Sequence, residues 1–280
     1  MPFRKWRAYV DLMRPLNVGI TLISIPAASV LAGATASQWL QVLIAALTGG
    51  LVAAAANSIN DYFDVEIDKI NKPGRPIPRG DATQREAWIL WLSLSAVALV
   101  LNTLLPTAAL VIVVLSIILL YWYSAFFKRT VMMGNLVVGL MTGMAFIYGA
   151  IVVARLDRAY MPALFAFLIN VVREIIKDVE DIEGDRKERA VTLPVKYGVR
   201  PALWLSSALL AILISTTIAA YVLNIYGVWY LVLVAVVDVI LVAVIVLQWR
   251  DQSVATMSRL SNALKLCMLL GLLAIYFGSR

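Results

Sequence analysis

The sequence predicts an all-α membrane protein, a bundle of about nine transmembrane helices. Of its 280 residues, 62% are hydrophobic and 15% are charged, whereas ordinary soluble domains have roughly 45–50% apolar and about 25% charged residues. The apolar residues fall into runs long enough for a helix to cross a hydrocarbon core of roughly 30 Å. The charges collect between these runs, so we attribute the net charge of +7 to membrane loops and expect no nucleic-acid partner.

Nine apolar runs are candidate spans, or eight if one of them lies along the membrane interface. Asn102 and Pro106 separate the third run from the fourth. The basic first 17 residues have no cleavage site of the signal-peptide type, so we interpret them as an interfacial helix. Four glycines in the fifth run would allow close helix packing: Gly134, Gly139, Gly143 and Gly149. The spans are expected at residues 16–35, 40–60, 86–105, 107–126, 132–153, 160–178, 201–222, 228–248 and 260–279.

The placement of lysine and arginine predicts the orientation in the membrane. With the N-terminus inside, 21 of the 24 Lys and Arg residues lie in segments on the inner side, as the positive-inside rule requires. We therefore expect a multi-pass protein of the cell membrane whose N-terminus and charged loops are cytoplasmic. Because no separate soluble segment is visible, residues 1–280 are expected to form one domain.

A polar stretch from residue 57 to residue 80 carries the first cluster of acids. Asn60, Asp64 and Asp68 follow at intervals of four, which places them along one helical face, and Asp61 lies on a neighbouring face. Carboxylates at this spacing repel each other. A cation among them would relieve that repulsion.

A second acidic cluster, between residues 173 and 198, repeats the pattern about 117 residues later. It contains Asp178, Asp181 and Asp185, and its position indicates two related halves. Two such faces directed at one cavity would offer the hard oxygen ligands that suit Mg²⁺. The simpler alternative is that these acids are solvated helix ends neutralised by local Lys and Arg. The sequence contains no histidine, the commonest zinc ligand.

Basic and aromatic residues complete a possible diphosphate site. Arginine can bind phosphate oxygens through two parallel hydrogen bonds, and lysine acts as a point charge. Alternatively, these cations only follow the positive-inside rule, and the aromatic residues of the segment YWYSAFFKR only anchor a span at the interface. In a functional site, aromatic faces would stabilise a carbocation. The cations after the two clusters are Lys72, Arg75 and Arg79, then Arg186, Lys187, Arg189 and Lys196.

The ordered motifs of this chain resemble the UbiA-type intramembrane prenyltransferases over nearly its whole length. They read NDYFDVEID, then NKPGRPIPRG, then KDVEDIEGD. The resemblance implies a nine-helix bundle with a central cavity open to lipid, Mg²⁺ held by both aspartate motifs, and transfer of an isoprenoid chain. Arg173 departs from the pattern, because many members have a tyrosine at this position.

The resemblance also implies roles for individual residues. Asp64, Asp68, Asp181 and Asp185 would be catalytic through the metal. Expected metal ligands, or residues that orient them, are Asn60, Asp61, Asp64, Asp68, Asp178, Asp181 and Asp185. Expected substrate-binding residues are Arg14, Asn17, Lys72, Arg75, Arg79, Tyr121, Tyr123, Lys128, Lys177 and Arg186.

The expected reaction is Mg²⁺-dependent transfer of a geranylgeranyl group from its diphosphate. The second motif is most similar to the archaeal branch that uses geranylgeranylglyceryl phosphate as acceptor in ether-lipid synthesis. The alternative is an aromatic acceptor, such as 4-hydroxybenzoate or another quinone, haem or chlorophyll precursor. A cation transporter would favour acids in the middle of spans, whereas these clusters lie at span ends. A CDP-alcohol phosphotransferase would need an Asp-Gly and Ala-Arg pattern that the first cluster lacks.

Overall fold

A computed structural model describes residues 2–187 and 190–279. Within these residues the chain forms thirteen α-helices and three short 3₁₀ turns and contains no strand, so the all-α prediction is confirmed. The chain divides into two compact units. The first comprises Met1–Phe127 and Ala145–Ala159, and the second comprises Lys128–Met144 and Tyr160–Arg280. The expected single domain and central cavity stay predictions.

In the first unit, helix α3 packs mainly against α2, α5 and α6 and also contacts α1. Small residues make this possible: a Cβ added to Gly49 would lie 2.1 Å from the Cδ1 atom of Ile25 on α2. The helices of this unit are α1 (Pro2–Met13), α2 (Pro15–Leu31), α3 (Trp39–Phe63), α4 (Val65–Asn71), α5 (Gln84–Asn102), α6 (Thr107–Ala125) and the second part of α7 (Met133–Val152).

The first two helices form a bent pair. They meet at Arg14 with a bend of 47°, and Arg14 has a left-handed backbone with φ 53°. Pro15 explains the interruption, because a proline disfavours the right-handed helical conformation of the residue before it. Among the described residues, eight helices are long and apolar enough to cross a membrane, or nine if this pair counts as one span. The expected number of spans is therefore confirmed.

In the second unit, helix α8 packs against α11 and α13, and α12 packs against the same two helices. A Cβ on Gly139 or Gly143 of α7 would lie 2.9 Å from a backbone oxygen of α8. The close packing expected for this glycine-rich span is thus present. The helices are the first part of α7, α8 (Tyr160–Glu180), α9 (Ile182–Lys187), α10 (Leu193–Tyr197), α11 (Val199–Val222), α12 (Val228–Arg250) and α13 (Val254–Gly278).

The ends of the spans differ from the expected bounds by a few residues. Helix α13 begins at Val254 and not near residue 260, because the Ser253 hydroxyl caps it by accepting from the Thr256 amide at 3.3 Å. The expected break after α5 is confirmed, since α6 starts directly after Pro106. Large apolar side chains such as Val239, which is 70% exposed, remain on the surface of the span helices. Such a surface suits contact with lipid.

Candidate active site

The first aspartate motif lies at a break between a membrane helix and a short helix. Helix α3 ends at Phe63, and α4 begins directly after Asp64. The Asp64 amide donates to the Asn60 carbonyl at 3.0 Å, and the Asp68 amide donates to the Asp64 carbonyl at 2.8 Å. The expected continuous helix is therefore interrupted at Asp64. The four-residue spacing of backbone hydrogen bonds nevertheless continues through the break.

Two aspartates of this motif are buried and paired with arginine. The side chains of Asp61 and Asp68 are only 4% and 5% exposed. Arg75 Nη1 lies 3.2 Å from Asp61 Oδ1 and also donates to Asp68 Oδ2, so one guanidinium bridges both carboxylates. Arg14 donates to Asp61 as well. Without these partners, the burial of two carboxylates would be costly.

The bend between α1 and α2 brings two of the expected substrate residues to the first motif. Arg14 reaches Asp61 from the bend. The side-chain Nδ2 of Asn57 donates to the Met13 carbonyl at 2.8 Å, and the side-chain Nδ2 of Asn17 donates to Asn57 Oδ1 at 3.4 Å. The N-terminal bend is thus tied to the same turn of α3 that carries the motif.

The loop after the first motif is fastened to helix α1. Arg79 donates to Asp81, to Asp11 at 3.3 Å and to the Gly74 carbonyl at 3.1 Å. Arg4 of α1 also donates to Asp81. Burial would raise the pKa of Asp81, but the hydrogen bonds from Arg79 and Arg4 outweigh it and hold the pKa below its usual value. Arg79 is therefore engaged in loop contacts, unlike Arg75, and its phosphate-binding role stays a prediction. Lys72 is exposed.

Aromatic rings pack beside the first motif. The ring of Tyr121 lies 5.4 Å from that of Phe63, the residue before Asp64, and 5.3 Å from that of Trp91, measured between centroids. Of the other expected residues in this segment, Tyr123 is half-buried and belongs to the first unit. Lys128 is also half-buried and belongs to the second unit.

The second motif has the same construction within the second unit. Helix α8 ends at Glu180, and α9 begins directly after Asp181. The Asp181 amide donates to the Lys177 carbonyl at 2.9 Å, and the Asp185 amide donates to the Asp181 carbonyl at 2.9 Å. Asp181 and Arg186 are exposed, and Lys177 is half-buried. Arg189, which the sequence places after this motif, lies outside the described residues.

Two hydrogen-bond partners of the second motif were missed by sequence reasoning. The side-chain Nδ2 of Asn135 donates to Asp178 Oδ2 at 2.8 Å, and the Thr192 hydroxyl donates to Asp185 Oδ2 at 3.0 Å. Asn135 is a polar residue in an apolar span, a weak signal. Thr192 follows Arg75 by the same 117 residues that separate Asp68 from Asp185, so the repeat itself could have revealed it.

Arg173 occupies a half-buried position on α8, two turns before Asp181. Its Nη1 atom donates to Glu174 at 2.6 Å. Its Nε atom is buried and has no hydrogen-bond partner among the described residues. Asp238 belongs to neither motif. Its carboxylate oxygens lie 3.0 and 3.1 Å from the Thr217 hydroxyl.

The donor chemistry of the two motifs fits Mg²⁺. All of the expected ligands are carboxylate or amide oxygens, the type that this ion prefers. Among the described residues, no three Cys, Asp or Glu side chains gather closely enough to hold a metal ion by themselves. A Mg²⁺ ion usually binds through one or two carboxylates, several waters and substrate phosphates. The arrangement is compatible with that mode.

The comparison with protein families identifies the class. The model of the UbiA prenyltransferase family matches residues 21–273, and the chain belongs to this family. It is therefore an intramembrane prenyltransferase and a multi-pass membrane protein.

Individual relatives are similar over nearly the whole chain. Digeranylgeranylglyceryl phosphate synthase of Methanosphaera stadtmanae is 33% identical over 97% of this chain and 98% of the relative. The protein of the same name from Haloquadratum walsbyi is 40% identical over 84% of this chain and 83% of the relative.

Solved structures show the same fold. A structure described as digeranylgeranylglyceryl phosphate synthase matches with a TM-score of 0.88 and 32% identity, covering 98% of both chains. A UbiA homologue from Archaeoglobus fulgidus, solved with GPP and Mg²⁺, matches with a TM-score of 0.72 and 20% identity over 96% of this chain and 99% of that one.

Proposed function

We propose that this enzyme transfers a geranylgeranyl group from geranylgeranyl diphosphate to geranylgeranylglyceryl phosphate in archaeal ether-lipid synthesis. The observation that carries this choice of substrates is the near end-to-end similarity to relatives named digeranylgeranylglyceryl phosphate synthase. The reaction type rests on the two aspartate motifs, each of which lies at a helix break. In each, a side chain seven residues further along donates a hydrogen bond to the last aspartate: Arg75 to Asp68 and Thr192 to Asp185.

The carboxylates supply the negative half of the diphosphate site. We assign Asp64, Asp68, Asp181 and Asp185 to Mg²⁺, with Asn60, Asp61 and Asp178 as further ligands or as residues that orient them. When bound, Mg²⁺ would neutralise the charge that develops on the departing diphosphate. The homologue solved with GPP and Mg²⁺ supports the choice of metal.

Arg75 is the cation best placed to serve the diphosphate. In the structure its guanidinium is shared between Asp61 and Asp68. Arg75 would be able to bind phosphate oxygens in place of these carboxylates, because a guanidinium forms paired hydrogen bonds with either group. Further substrate contacts are assigned to Arg14, Asn17, Lys72, Arg79, Tyr123, Lys128, Lys177 and Arg186.

The allylic C1–O bond then breaks, and its electron pair leaves with the diphosphate. The ring of Tyr121, beside Phe63 at the end of α3, would face the resulting carbocation and stabilise it. The acceptor hydroxyl attacks C1 and forms the ether bond, and its proton passes to the released diphosphate. Apolar walls keep water from the cation.

Purified protein with Mg²⁺ and radiolabelled geranylgeranyl diphosphate tests this function. We expect a labelled lipid product with geranylgeranylglyceryl phosphate and little or none with 4-hydroxybenzoate. Product with only the aromatic compound would establish the alternative acceptor class. Product with neither acceptor would refute both assignments.

We also propose that residues 1–280 act as one domain and that both motifs are cytoplasmic. The family match runs through both units, and 21 of 24 basic residues lie on the proposed inner side. Cys267 is 1% exposed, so we expect little labelling of this native cysteine when single engineered cysteines are tested. In intact cells, a membrane-impermeant maleimide should label Arg155→Cys but not Arg186→Cys. The reverse pattern would invert the orientation.

A further inference from the structure

A cleft of about 780 Å³ lies in the second unit, where α11 begins and α12 ends. We call it the α11–α12 cleft. Three aromatic side chains, one arginine and one amide side chain line it, together with the first backbone residues of α11. These side chains are Tyr197, Trp204, Trp249, Arg200 and Gln252. Tyr197 lies at the end of the second polar segment, but none of these side chains belongs to the sequences NDYFDVEID or KDVEDIEGD.

Hydrogen bonds of buried and partly buried side chains hold the aromatic wall of this cleft. The Trp249 indole donates to the Ser207 hydroxyl at 3.1 Å, and Gln248, which is fully buried, donates to the same hydroxyl at 2.8 Å. Ser206 donates to Gln248 at 2.9 Å. Trp204 packs edge-on against Trp249 with 5.2 Å between ring centroids. These contacts hold Trp249 and Trp204 in position without a ligand.

The cleft offers positive charge without an acidic partner. Arg200 is exposed and forms no ion pair with any of the described residues, and no acid lines the cleft. Lys196 does not line the cleft; its Nζ atom lies 5.1 Å from the centroid of the Tyr197 ring. Asp251 is the acid next in sequence to the lining, but its oxygens accept from Thr256 and Ser253. An anion can therefore bind Arg200 without competition from a lining carboxylate.

The walls are suited to the upper part of a lipid. Trp204 is 68% exposed, and Leu247, 43% exposed, continues the apolar surface along α12. Tryptophan is enriched where membrane helices meet the headgroup region. A free phosphate ion would use Arg200 and leave these walls without a role, whereas a phospholipid would use both.

We propose that the α11–α12 cleft binds the phosphate head group of an anionic membrane lipid. Arg200 contacts the phosphate, and the tryptophans contact the glycerol and upper chain region. Basic pockets between membrane helices bind anionic head groups in this way. The site is separate from the proposed transfer reaction and does not depend on it.

Native mass spectrometry of the delipidated full-length protein tests the proposal. The protein should have at least one site that binds dioleoylphosphatidylglycerol more tightly than it binds dioleoylphosphatidylcholine. Arg200→Gln should weaken that site at least about fivefold, whereas Arg250→Gln, an exposed cation outside the cleft, should not. Trp204→Ala should also weaken it, and Trp229→Ala, an equally exposed tryptophan at the other end of α12, should not.

Four outcomes would overturn the proposal. Equal binding of both lipids by the unaltered protein would do so without any variant. Equal effects of Arg200→Gln and Arg250→Gln would show diffuse surface charge. Full displacement of the lipid by excess inorganic phosphate would show a small-anion site. Transfer activity in lipid-free detergent should be the same for Arg200→Gln as for the unaltered protein, and its loss would place Arg200 in the substrate machinery.

Discussion

Arg75 donates to the carboxylate of Asp68, seven residues before it in the chain. Thr192 donates to Asp185 across the same interval, and both pairs are related by the 117-residue repeat. The second motif thus has the same contact seven residues apart, but its donor is the neutral Thr192 hydroxyl where the first motif has the Arg75 guanidinium.

The two central aspartates should be essential for transfer. Asp64→Asn and Asp181→Asn each remove a charge at a helix break, and we expect turnover to fall at least about 10²-fold, as for the loss of other groups that stabilise developing charge. Asp157→Asn is the matched control, since this acid is exposed and lies outside both motifs. Mg²⁺-dependent activity retained in both motif variants would remove them from the metal site.

Loss of Arg75 should destabilise the protein more than loss of the Thr192 hydroxyl. Arg75→Gln leaves two buried carboxylates short of a partner, a change that costs about 3–5 kcal/mol in buried pairs. Thr192→Val removes one hydrogen bond to a charged group, worth about 1.5–3 kcal/mol. Thermal unfolding in detergent measures the difference. Arg75→Gln combined with Asp68→Asn should recover part of the loss, and no recovery would argue against the pairing.

Mg²⁺ and diphosphate should stabilise the enzyme together more than separately. Asp61 and Asp68 are already neutralised by arginine, so Mg²⁺ alone has little to gain there. Ligands that bind only the folded state raise its stability. We expect a larger increase in Tm with both ligands than the sum of the single increases. Chelation should abolish this increase and turnover, and added Mg²⁺ should restore both. If diphosphate raised Tm as much with a chelator present as it does with Mg²⁺, the prediction would be contradicted.

The contact between α1 and the loop after the first motif should depend on pH through Asp81. Its pKa is held below the usual 3.8 by Arg79 and Arg4, so the stabilisation is complete above about pH 4 and is lost as the pH falls through the lower, folded-state pKa. Hydrogen exchange of residues 72–83 should therefore rise only in acid. Asp81→Asn should raise it at neutral pH, and the control Asp251→Asn should not.

The approach of α7 to α8 should not tolerate an added methyl group. The Cβ of Gly139→Ala or Gly143→Ala would meet backbone oxygen at 2.9 Å, and overpacking of this kind costs about 1–3 kcal/mol. Gly271→Ala is the control, because a Cβ there meets nothing within 4 Å. We expect that variant to gain about 0.5–1 kcal/mol. Equal melting temperatures of all three variants would contradict the close packing.

The sequence by itself determined the helical class, the spans and the location of both aspartate motifs. Hydrophobic length and the spacing of acids are properties of local sequence, and they survive folding unchanged. The bend at Arg14 also has a local cause in Pro15. Even the break at Asp64 left the hydrogen-bond spacing of the motif intact.

Only the tertiary structure decided which cations serve which acids. Arg75 and Arg79 are alike in the sequence, yet Arg75 bridges the motif carboxylates while Arg79 holds the loop to α1. Asn135 reaches Asp178 from 43 residues away. Pairings of this kind depend on which helices meet and how deeply each charge is buried. A pattern along the chain does not contain that information.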